Sequence, residues 1–367
     1  MLFDLLPGEP WIIDSLRVTG QDACARVDML GWAFPDPQLG PNSPGKFLLN
    51  GAPFDQIRYP IVRGDVEDKF WQRKNSRYSG FQCGASLPPD RVYLDGALEL
   101  SYVNPGPPRS IPAQQSWFQF DPALQLPFPE ESRRYRVIAN NDLDGFTLGG
   151  FTDFKRLDAA AAALSGRSFT GFPRILDFGC GCGRLARYTS RLPRVALSGC
   201  DIDADNVNWC ANNLSGSFVP TKVHPPTPFP DNSFDLIYGV SVFTHLREPL
   251  QDAWLAELQR LAAPRGWILM TIHGRTALDY AGLPPAVYED LEKRVSDQGL
   301  YVTAANTQID GFAEHEGEYV NVFHDLGYIR NHWSKYFEVV TILPGYIFTH
   351  DLVVLRKKSG ARSQESE

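Results

Sequence analysis

The sequence lacks a basic surplus and a long apolar run, two features that mark broad classes of protein, and its first residues do not predict a leader peptide. Lysine and arginine total 35 against 43 acidic residues, so the formal net charge is −8. A negative balance does not favour binding to nucleic acid or to an anionic membrane surface. No apolar run approaches the length of a membrane span, and the first six residues contain an acid and no basic lead. These absences predict a cytoplasmic protein without nucleic-acid or membrane partners.

Cysteine is also sparse and scattered. The six cysteines are Cys24, Cys83, Cys180, Cys182, Cys200 and Cys210. They do not form the two close doublets that are typical of structural zinc sites, and their spread indicates reduced thiols rather than a disulfide framework. A zinc site built from the last four is the alternative. We favour packing of small side chains there and predict no metal.

What the chain does contain is a glycine-rich turn between an apolar segment and a helical one, at residues 174–184. Gly179, Gly181 and Gly183 would bring backbone N–H groups close to a ligand at a helix N-terminus. The dinucleotide fingerprint places its third glycine three positions after the second, where this chain has Arg184. Asp177 would repel a pyrophosphate but suits a ligand that carries an ammonium group.

The pattern Asp-x-Gly-x-Gly-x-Gly, at Asp177, Gly179, Gly181 and Gly183, resembles the first motif of class I S-adenosylmethionine-dependent methyltransferases. Further segments resemble, in order, the second strand, the approach to the fourth strand and the segments after it. These are residues 197–201, 228–237, 241–246 and 263–270. The resemblance covers about half of the chain. It implies a Rossmann-like α/β domain with a closing antiparallel hairpin and S-adenosyl-L-methionine as cofactor, with S-adenosyl-L-homocysteine as product.

The resemblance also implies which residues bind the cofactor. Asp201 ends the second strand, where the family holds the ribose hydroxyls, whereas Asp203 is predicted to cap the next helix. His224 stands where family members often carry an acid for the adenine amine, so adenine recognition by His224 or by backbone groups is left open. The full predicted set is Asp177, Gly179, Cys180, Gly181, Gly183, Asp201, Ile202, His224, Val240 and Ser241.

The N-terminal region shows short β-like runs separated by turns and no long amphipathic helix. The runs are residues 11–18, 31–34, 46–49, 91–94 and 97–103, and the turns include Asn50-Gly51 and Asp95-Gly96. Asn-Gly and Asp-Gly favour hairpins because both central residues need positive φ. We predict an all-β sandwich over residues 1–122, of immunoglobulin-like or carbohydrate-binding-like type. Six aromatics form either a sugar platform or, as we favour, core: Phe70, Trp71, Tyr78, Phe81, Trp117 and Phe118.

Prolines divide this region from the rest. Proline-rich stretches at residues 105–112 and 122–129 predict a boundary, and residues 123–172 form a linker and lead-in helix. Within the linker we expect an extended piece at residues 135–138, where Arg136 is a weak candidate for the methionine carboxylate, and a helix at residues 151–164. The methyltransferase domain is predicted at residues 173–358, with an insertion at about 274–327, and a disordered tail at residues 359–367.

Three histidines are candidate general bases. Methyl transfer to a hydroxyl needs a proton acceptor near neutral pH, most often histidine. His245 follows the fourth strand, His273 ends the fifth, and His324 lies in the insertion that shapes the acceptor pocket in the family. Each also has a structural interpretation, and His350 we assign as structural.

The arrangement as a whole resembles bacterial methyltransferases of the glycan- or metabolite-associated type. We expect O-methylation of a sugar, glycan or small hydroxylated metabolite. The alternatives are N-methylation of a small molecule and a methyltransferase-like binding protein without catalysis; a nicotinamide dehydrogenase is disfavoured by the glycine spacing and Asp177. The sequence leaves the oligomeric state open.

Overall fold

The structure is a computed structural model, and it describes residues 11–20, 24–35, 45–103, 111–305 and 319–359. Two antiparallel four-stranded sheets, ordered β1-β2-β6-β5 and β4-β3-β7-β8, form the N-terminal region. Their strands are β1 (Trp11–Thr19), β2 (Ala25–Ala33), β3 (Lys46–Leu49), β4 (Ala52–Pro53), β5 (Gln56–Ile61), β6 (Gly80–Leu87), β7 (Ala97–Val103) and β8 (Ser116–Phe120). A short helix, α1 (Gly64–Lys69), follows β5.

The two sheets share one core. Trp11, Val27 and Phe81 of the first sheet pack with Phe47 and Leu100 of the second, and all five are buried. Along β2, the buried Ala25, Val27 and Met29 alternate with less buried residues, as a strand with one solvated face requires. The predicted all-β sandwich is confirmed.

Both predicted turns form, and Asp95 and Gly96 have positive φ, 51° and 76°, between the bridged residues Leu94 and Ala97. Asn50 and Gly51 both have positive φ, 49° and 80°, and join β3 to β4. The strand predicted at residues 91–94 is wrong: a 3₁₀ turn, Pro89–Arg91, ends at its first residue, and Leu94 forms an isolated bridge to Ala97. Proline at the first position of the 3₁₀ turn fixes φ in the helical region and removes a strand donor.

Most of the six aromatics proposed as a possible sugar platform lie in the interior. Phe70, Phe81, Trp117 and Phe118 are all buried. Trp71 is 40% exposed, but its Nε1–H donates to the Leu283 carbonyl at 3.1 Å and its ring packs edge-on against that of Tyr288. The core interpretation therefore holds for the four buried rings.

Two helices, α2 (Glu131–Ile138) and α3 (Leu143–Ser165), connect the sandwich to the second sheet. The extended piece predicted at residues 135–138 is wrong, because these residues form the last turn of α2. The lead-in helix is confirmed but begins earlier, where Asp142 accepts a hydrogen bond from the Asp144 N–H. The sequence analysis placed the start too late because Gly149 and Gly150 have low helix propensity.

The predicted boundaries between domains stay a prediction. Helix α3 is bonded to the sandwich: Thr152 Oγ1 accepts from the Phe118 N–H at 2.9 Å, and Arg156 donates to the Ser116 carbonyl at 3.0 Å. The proline-rich stretch at residues 105–108 lies outside the described residues, as do residues 360–367 of the predicted tail.

The second sheet has seven strands in the order β11-β10-β9-β12-β13-β17-β16. They are β9 (Arg174–Phe178), β10 (Ala196–Asp201), β11 (Ser217–Pro220), β12 (Phe234–Gly239), β13 (Ala262–Ile272), β16 (Glu338–Ile347) and β17 (His350–Arg356). The first five are parallel, and β17 pairs antiparallel with both β13 and β16. This confirms the predicted α/β sheet with its closing hairpin.

Helices cover both faces of this sheet and connect its strands. They are α4 (Ala186–Thr189), α5 (Ala204–Asn213), α6 (Glu248–Leu261), α7 (Arg275–Tyr280), α8 (Pro285–Gln298) and α9 (Leu326–His332). Leu236 of β12 packs in a core on one face and its neighbour Ile237 in a core on the other. Because both faces are buried, the carboxyl ends of the parallel strands form the exposed edge where a ligand can bind.

The insertion after β13 carries a small sheet of two strands, β14 (Leu300–Ala305) and β15 (Val320–His324). Strand β15 lies across the strand ends of the large sheet. The Val322 N–H donates to the Thr244 carbonyl and the His324 N–H to the His273 carbonyl, both at 2.8 Å. Within the described part of the chain, no helix combines the length and apolar character needed to cross a bilayer.

Candidate active site

One cavity of about 750 Å³ lies at the carboxyl ends of β9, β10 and β12. It is also lined by α3, by β15 and by β1 of the sandwich. This volume is typical of a small-molecule site. Of the thirteen residues predicted from the sequence, eight line the cavity: Gly179, Gly181, Asp201, Ile202, Val240, Ser241, His245 and His273.

The glycine loop forms one end of the cavity wall. Gly179 and Gly181 have positive φ, 78° and 49°, a backbone conformation that other residues rarely adopt. A Cβ on Gly179 would lie 2.3 Å from Val242, and one on Gly181 would lie 2.7 Å from Val137. The loop backbone therefore reaches the cavity only because side chains are absent.

Asp201 links the loop to the next strand. Its carboxylate accepts hydrogen bonds from the Gly181 N–H at 2.8 Å and the Asp203 N–H at 2.9 Å. Burial raises its pKa, which these backbone bonds partly offset. Each carboxylate offers about four acceptor positions, so Asp201 keeps capacity to accept from a ligand hydroxyl.

Three predicted loop residues lie behind the cavity wall. Asp177 is 3% exposed and accepts a hydrogen bond from the Tyr238 hydroxyl at 2.9 Å; burial raises its pKa to about 7. Cys180 is buried, and Gly183 packs beside Leu214. None of the three lines the cavity, so their contact with a ligand stays a prediction.

Helix α2 brings Arg136 to the cavity. Its guanidinium pairs with Asp203 at 2.7 Å and with Asp205 at 2.9 Å, and its side chain is 10% exposed. Asp203 also caps α5 by accepting from the Asn206 N–H, as predicted. These ion pairs hold α2 over the strand ends, and contact of Arg136 with a methionine carboxylate stays a prediction.

The wall near β11 is built without His224. Thr221, Val223 and Trp254 line the cavity there, and the Trp254 indole N–H donates to the Val223 carbonyl at 2.9 Å. This arrangement offers an apolar surface beside backbone polar groups. His224 does not line the cavity, so its contact with adenine stays a prediction.

An ion pair that sequence reasoning missed lies where α3 crosses the glycine loop. Arg184 and Asp153 are 2.8 Å apart, with side chains 14% and 8% exposed, and both line the cavity. Gly150 allows this approach, because a Cβ there would lie 3.0 Å from the Arg184 side chain. The sequence did contain one signal of this ion pair: Arg184 stands where the dinucleotide fingerprint has its third glycine.

His245 is the histidine with the clearest geometry for catalysis. Its Nδ1–H donates to the Val320 carbonyl at 2.9 Å, which leaves Nε2 as the acceptor, 3.3 Å from Ser241 Oγ. The ring stacks on Tyr319 at 4.0 Å. Burial lowers its pKa to about 4, partly offset by the Val320 bond, so the ring is neutral at pH 7.

Two more imidazoles line the same region. His273 stacks on His350 with ring centroids 4.8 Å apart, and the His245 ring stands edge-on at 6.0 Å from His273. Burial lowers the pKa of His273 to about 2 and that of His350 to about 4. The sequence analysis assigned His350 as structural; the structure places it in the cavity wall, because the turn between β16 and β17 folds towards β13.

His324 lies outside this group. It is 1% exposed, and its Nε2 is within hydrogen-bond distance of the Gln251 side-chain amide. Burial lowers its pKa to about 3. Its position fits the structural interpretation, and a direct role in catalysis stays a prediction.

Metal ligands do not come together at the cysteines. All six thiols are free. Among the described residues, the one group of three potential ligands within 4.8 Å of one another is Glu248, Asp252 and His332. Both ring nitrogens of His332 already have partners there, Asp252 at 2.6 Å and Lys335 at 3.2 Å.

Comparison with known proteins identifies the segment that carries the glycine loop. Residues 175–266 match the family model described as a methyltransferase domain. The chain contains a methyltransferase domain. As predicted, this domain is of the class I, S-adenosylmethionine-dependent kind, and S-adenosylmethionine is its cofactor.

Two curated proteins resemble part of the chain. The cyclopropane-fatty-acyl-phospholipid synthase of Escherichia coli K12 is 29% identical over 106 residues, which cover 29% of this chain and 28% of that enzyme. An uncharacterized methyltransferase of Schizosaccharomyces pombe is 27% identical over 114 residues, covering 26% of this chain and 38% of that protein. The chain therefore spans less than two fifths of the length of either relative.

Solved structures resemble the chain more distantly. The PH0226 protein of Pyrococcus horikoshii OT3 is 16% identical, covers 63% of this chain and 100% of its own, and has a TM-score of 0.42. Magnesium protoporphyrin IX methyltransferase of Synechocystis PCC 6803, solved with bound S-adenosylhomocysteine, is 14% identical, covers 62% and 94%, and has a TM-score of 0.40.

The cavity wall fits the cofactor of the methyltransferase domain. The glycine loop supplies closely approaching backbone groups where a Cβ would intrude, and the Asp201 carboxylate keeps capacity to accept from a ribose hydroxyl. The loop opens onto the cavity and is not filled by its own side chains.

Proposed function

We propose that the protein is a methyltransferase that methylates a hydroxyl oxygen of a small acceptor, with a sugar, a glycan or a hydroxylated metabolite as first choice. The observation that supports this proposal is the position of His245. Its Nε2 is a hydrogen-bond acceptor 3.3 Å from Ser241 Oγ, and His245 lines the same cavity as the glycine loop and Asp201. The family match covers residues 175–266, so the activity of the whole chain is our proposal.

The residues proposed to hold the cofactor are Gly179, Gly181, Asp201 and Ile202. The loop backbone would approach the amino-acid part, and the Asp201 carboxylate would accept from the ribose hydroxyls, as the resemblance implies. When bound, the cofactor supplies an electrophilic methyl group on its sulfonium. Holding both reactants in line in one cavity can contribute about 7–11 kcal/mol to lowering the barrier.

His245 is proposed as the general base. Its neutral Nε2 would take the proton of the acceptor hydroxyl as the new oxygen–carbon bond forms. The Val320 carbonyl, bonded to Nδ1–H, fixes the tautomer and stabilises the positive ring that results. Ser241, with its hydroxyl at 3.3 Å, helps to hold Nε2 in place.

The test uses cofactor that carries a labelled methyl group and an extract of the source cells. We expect label in a small molecule, linked through oxygen by mass spectrometry, with one S-adenosylhomocysteine formed per methyl transferred. Label on nitrogen would favour the N-methyltransferase alternative. Tight binding of S-adenosylhomocysteine without any transfer would favour a binding protein and would contradict the proposal.

A further inference from the structure

The sandwich supplies part of the wall of the active-site cavity. Ile12, Ile13 and Asp14 of β1 line it together with Trp117 of β8. The same cavity is lined by Gly179 and Asp201, so one continuous space joins the two regions of the chain. The resemblance to methyltransferases does not extend to the sandwich, and it assigns these residues no role.

A β-bulge explains how three consecutive residues of one strand reach the cavity. Along a regular strand, successive side chains point to opposite faces. Ile13 pairs with Gly31 and Ser15 with Leu30, so Asp14 is an extra residue without a counterpart. Such bulges re-aim side chains next to active sites. Gly31 accommodates the bulge, because a Cβ there would lie 2.0 Å from the Ile12 carbonyl oxygen.

This wall contacts α3 and the turn between β16 and β17. The Trp117 indole N–H donates to the Trp11 carbonyl at 3.1 Å, and its ring packs edge-on against Phe348 at 6.3 Å. The Arg156 guanidinium lies 5.5 Å from the Trp117 ring and bonds the Ser116 carbonyl. Phe348 lies in the turn between β16 and β17, beside His350. Because these contacts already hold the wall in place, little conformational entropy is lost when a ligand binds to it.

The charges of the whole cavity wall oppose an anionic acceptor. It contains six aspartates against three arginines, and its histidines are neutral at pH 7. Two of the arginines are paired with aspartates, Arg136 with Asp203 and Arg184 with Asp153. Asp14 itself pairs with Arg63 at 2.6 Å, yet its side chain remains 32% exposed. Its carboxylate therefore keeps acceptor positions for further hydrogen bonds.

We infer that the bulged edge of β1 is the acceptor-recognition wall, and that Asp14 accepts hydrogen bonds from hydroxyl groups of an uncharged acceptor. The apolar part of that acceptor packs on Ile13 and Trp117. This inference rests on the proposed function. It gives the sandwich the task of choosing the acceptor, while His245 and the glycine loop carry out the transfer.

The chain offers a matched pair of variants. Asp14→Asn removes a carboxylate that both pairs with Arg63 and lines the cavity. Asp65→Asn removes another carboxylate that pairs with Arg63, at 2.6 Å, but does not line the cavity. A hydrogen bond to a charged group contributes about 1.5–3 kcal/mol, which corresponds to a roughly tenfold to hundredfold change in affinity.

The experiment passes the cell extract through an anion exchanger and assays both fractions with methyl-labelled cofactor. We expect wild-type protein to label the unretained fraction. In a dilution series of that fraction, Asp14→Asn should raise the apparent KM at least tenfold, whereas Asp65→Asn should stay within twofold. Affinity for S-adenosylhomocysteine, measured by calorimetry, should be unchanged in both variants.

The outcomes separate this inference from the proposed function. Label confined to the retained, anionic fraction, or equal KM values for wild type and Asp14→Asn, would overturn the inference and leave the methyltransferase proposal intact. Equal damage in Asp14→Asn and Asp65→Asn would show that the Arg63 ion pairs only support the fold, which also overturns it. Absence of label in both fractions, despite cofactor binding, would defeat the proposed function and this inference with it.

Discussion

The Asp201 carboxylate accepts a hydrogen bond from the Gly181 N–H at 2.8 Å, and this bond joins the end of β10 to the glycine loop that follows β9. A second backbone bond, from the Asp203 N–H, fixes the other carboxylate oxygen. One side chain therefore both shapes the loop and faces the cavity. This double task makes Asp201 the most direct test of the cofactor site.

Asp201→Asn is expected to weaken binding of S-adenosylhomocysteine about 10- to 100-fold. The amide has one acceptor oxygen, and its NH₂ group would face a backbone N–H that now donates to the carboxylate. Loss of one hydrogen bond to a charged group costs about 1.5–3 kcal/mol of binding free energy. Calorimetry measures the affinity. Asp205→Asn is the control, because Asp205 is 62% exposed and does not line the cavity. Unchanged affinity in Asp201→Asn would show that ribose binds elsewhere.

His245→Gln is expected to lower kcat about 10²- to 10⁴-fold, the usual contribution of a general base, with cofactor affinity kept within twofold. Because the pKa of His245 is lowered to about 4, the wild-type rate should stay level from pH 8 to pH 6 and fall only towards pH 4. Initial rates over this pH range check both points. A variant as active as wild type would exclude this histidine as the base.

His324→Gln is expected to make stability less sensitive to acid. Burial lowers the pKa of His324 from 6.5 to about 3, so below pH 6.5 the unfolded chain binds a proton that the folded protein excludes. The stability that the neutral ring contributes is therefore present above pH 6.5 and is lost as the pH falls towards 3. The free energy of unfolding, measured in urea between pH 6 and pH 4, should change less with pH in the variant, by about 1.4 kcal/mol per pH unit.

The wild type and the His324→Gln variant are compared because other buried groups change the pH dependence of stability in the opposite direction. Burial raises the pKa of Asp177 to about 7 and that of Asp351 to about 6, so these carboxyls favour the folded state at low pH. Their effect is common to wild type and variant. Identical slopes would mean that His324 is protonated alike in both states.

Gly179→Ala is expected to reduce both stability and cofactor affinity. The residue has φ of +78°, and the new Cβ would lie 2.3 Å from Val242 beside the cavity. Gly166→Ala is the matched control, since Gly166 has φ of +75° at the end of α3 and open space around its Cβ position. The control should lose only about 1–2 kcal/mol from backbone strain. Thermal unfolding and calorimetry would show whether affinity falls in Gly179→Ala alone.

Several elements could be predicted because their signals are local. The glycine spacing at Gly179, Gly181 and Gly183 predicted a tight loop, and all three residues have positive φ. Asn50-Gly51 predicted a hairpin turn for the same reason. By contrast, helix α2 was missed because residues 135–138 are short and ambiguous, and contacts such as Arg136 with Asp203 stabilise the helix from outside its own sequence.

The sequence by itself determined the strand–loop–helix unit, the acid that ends β10 and the order of segments that resembles methyltransferases, since each depends on neighbours along the chain. Only the tertiary structure decided what those residues meet. It placed the Asp177 carboxylate against Tyr238 rather than in the cavity, oriented His245 through Val320 of a strand 75 positions away, and brought Asp14 of the sandwich to the same cavity. Packing and hydrogen bonds between distant segments set these contacts, and no local pattern encodes them.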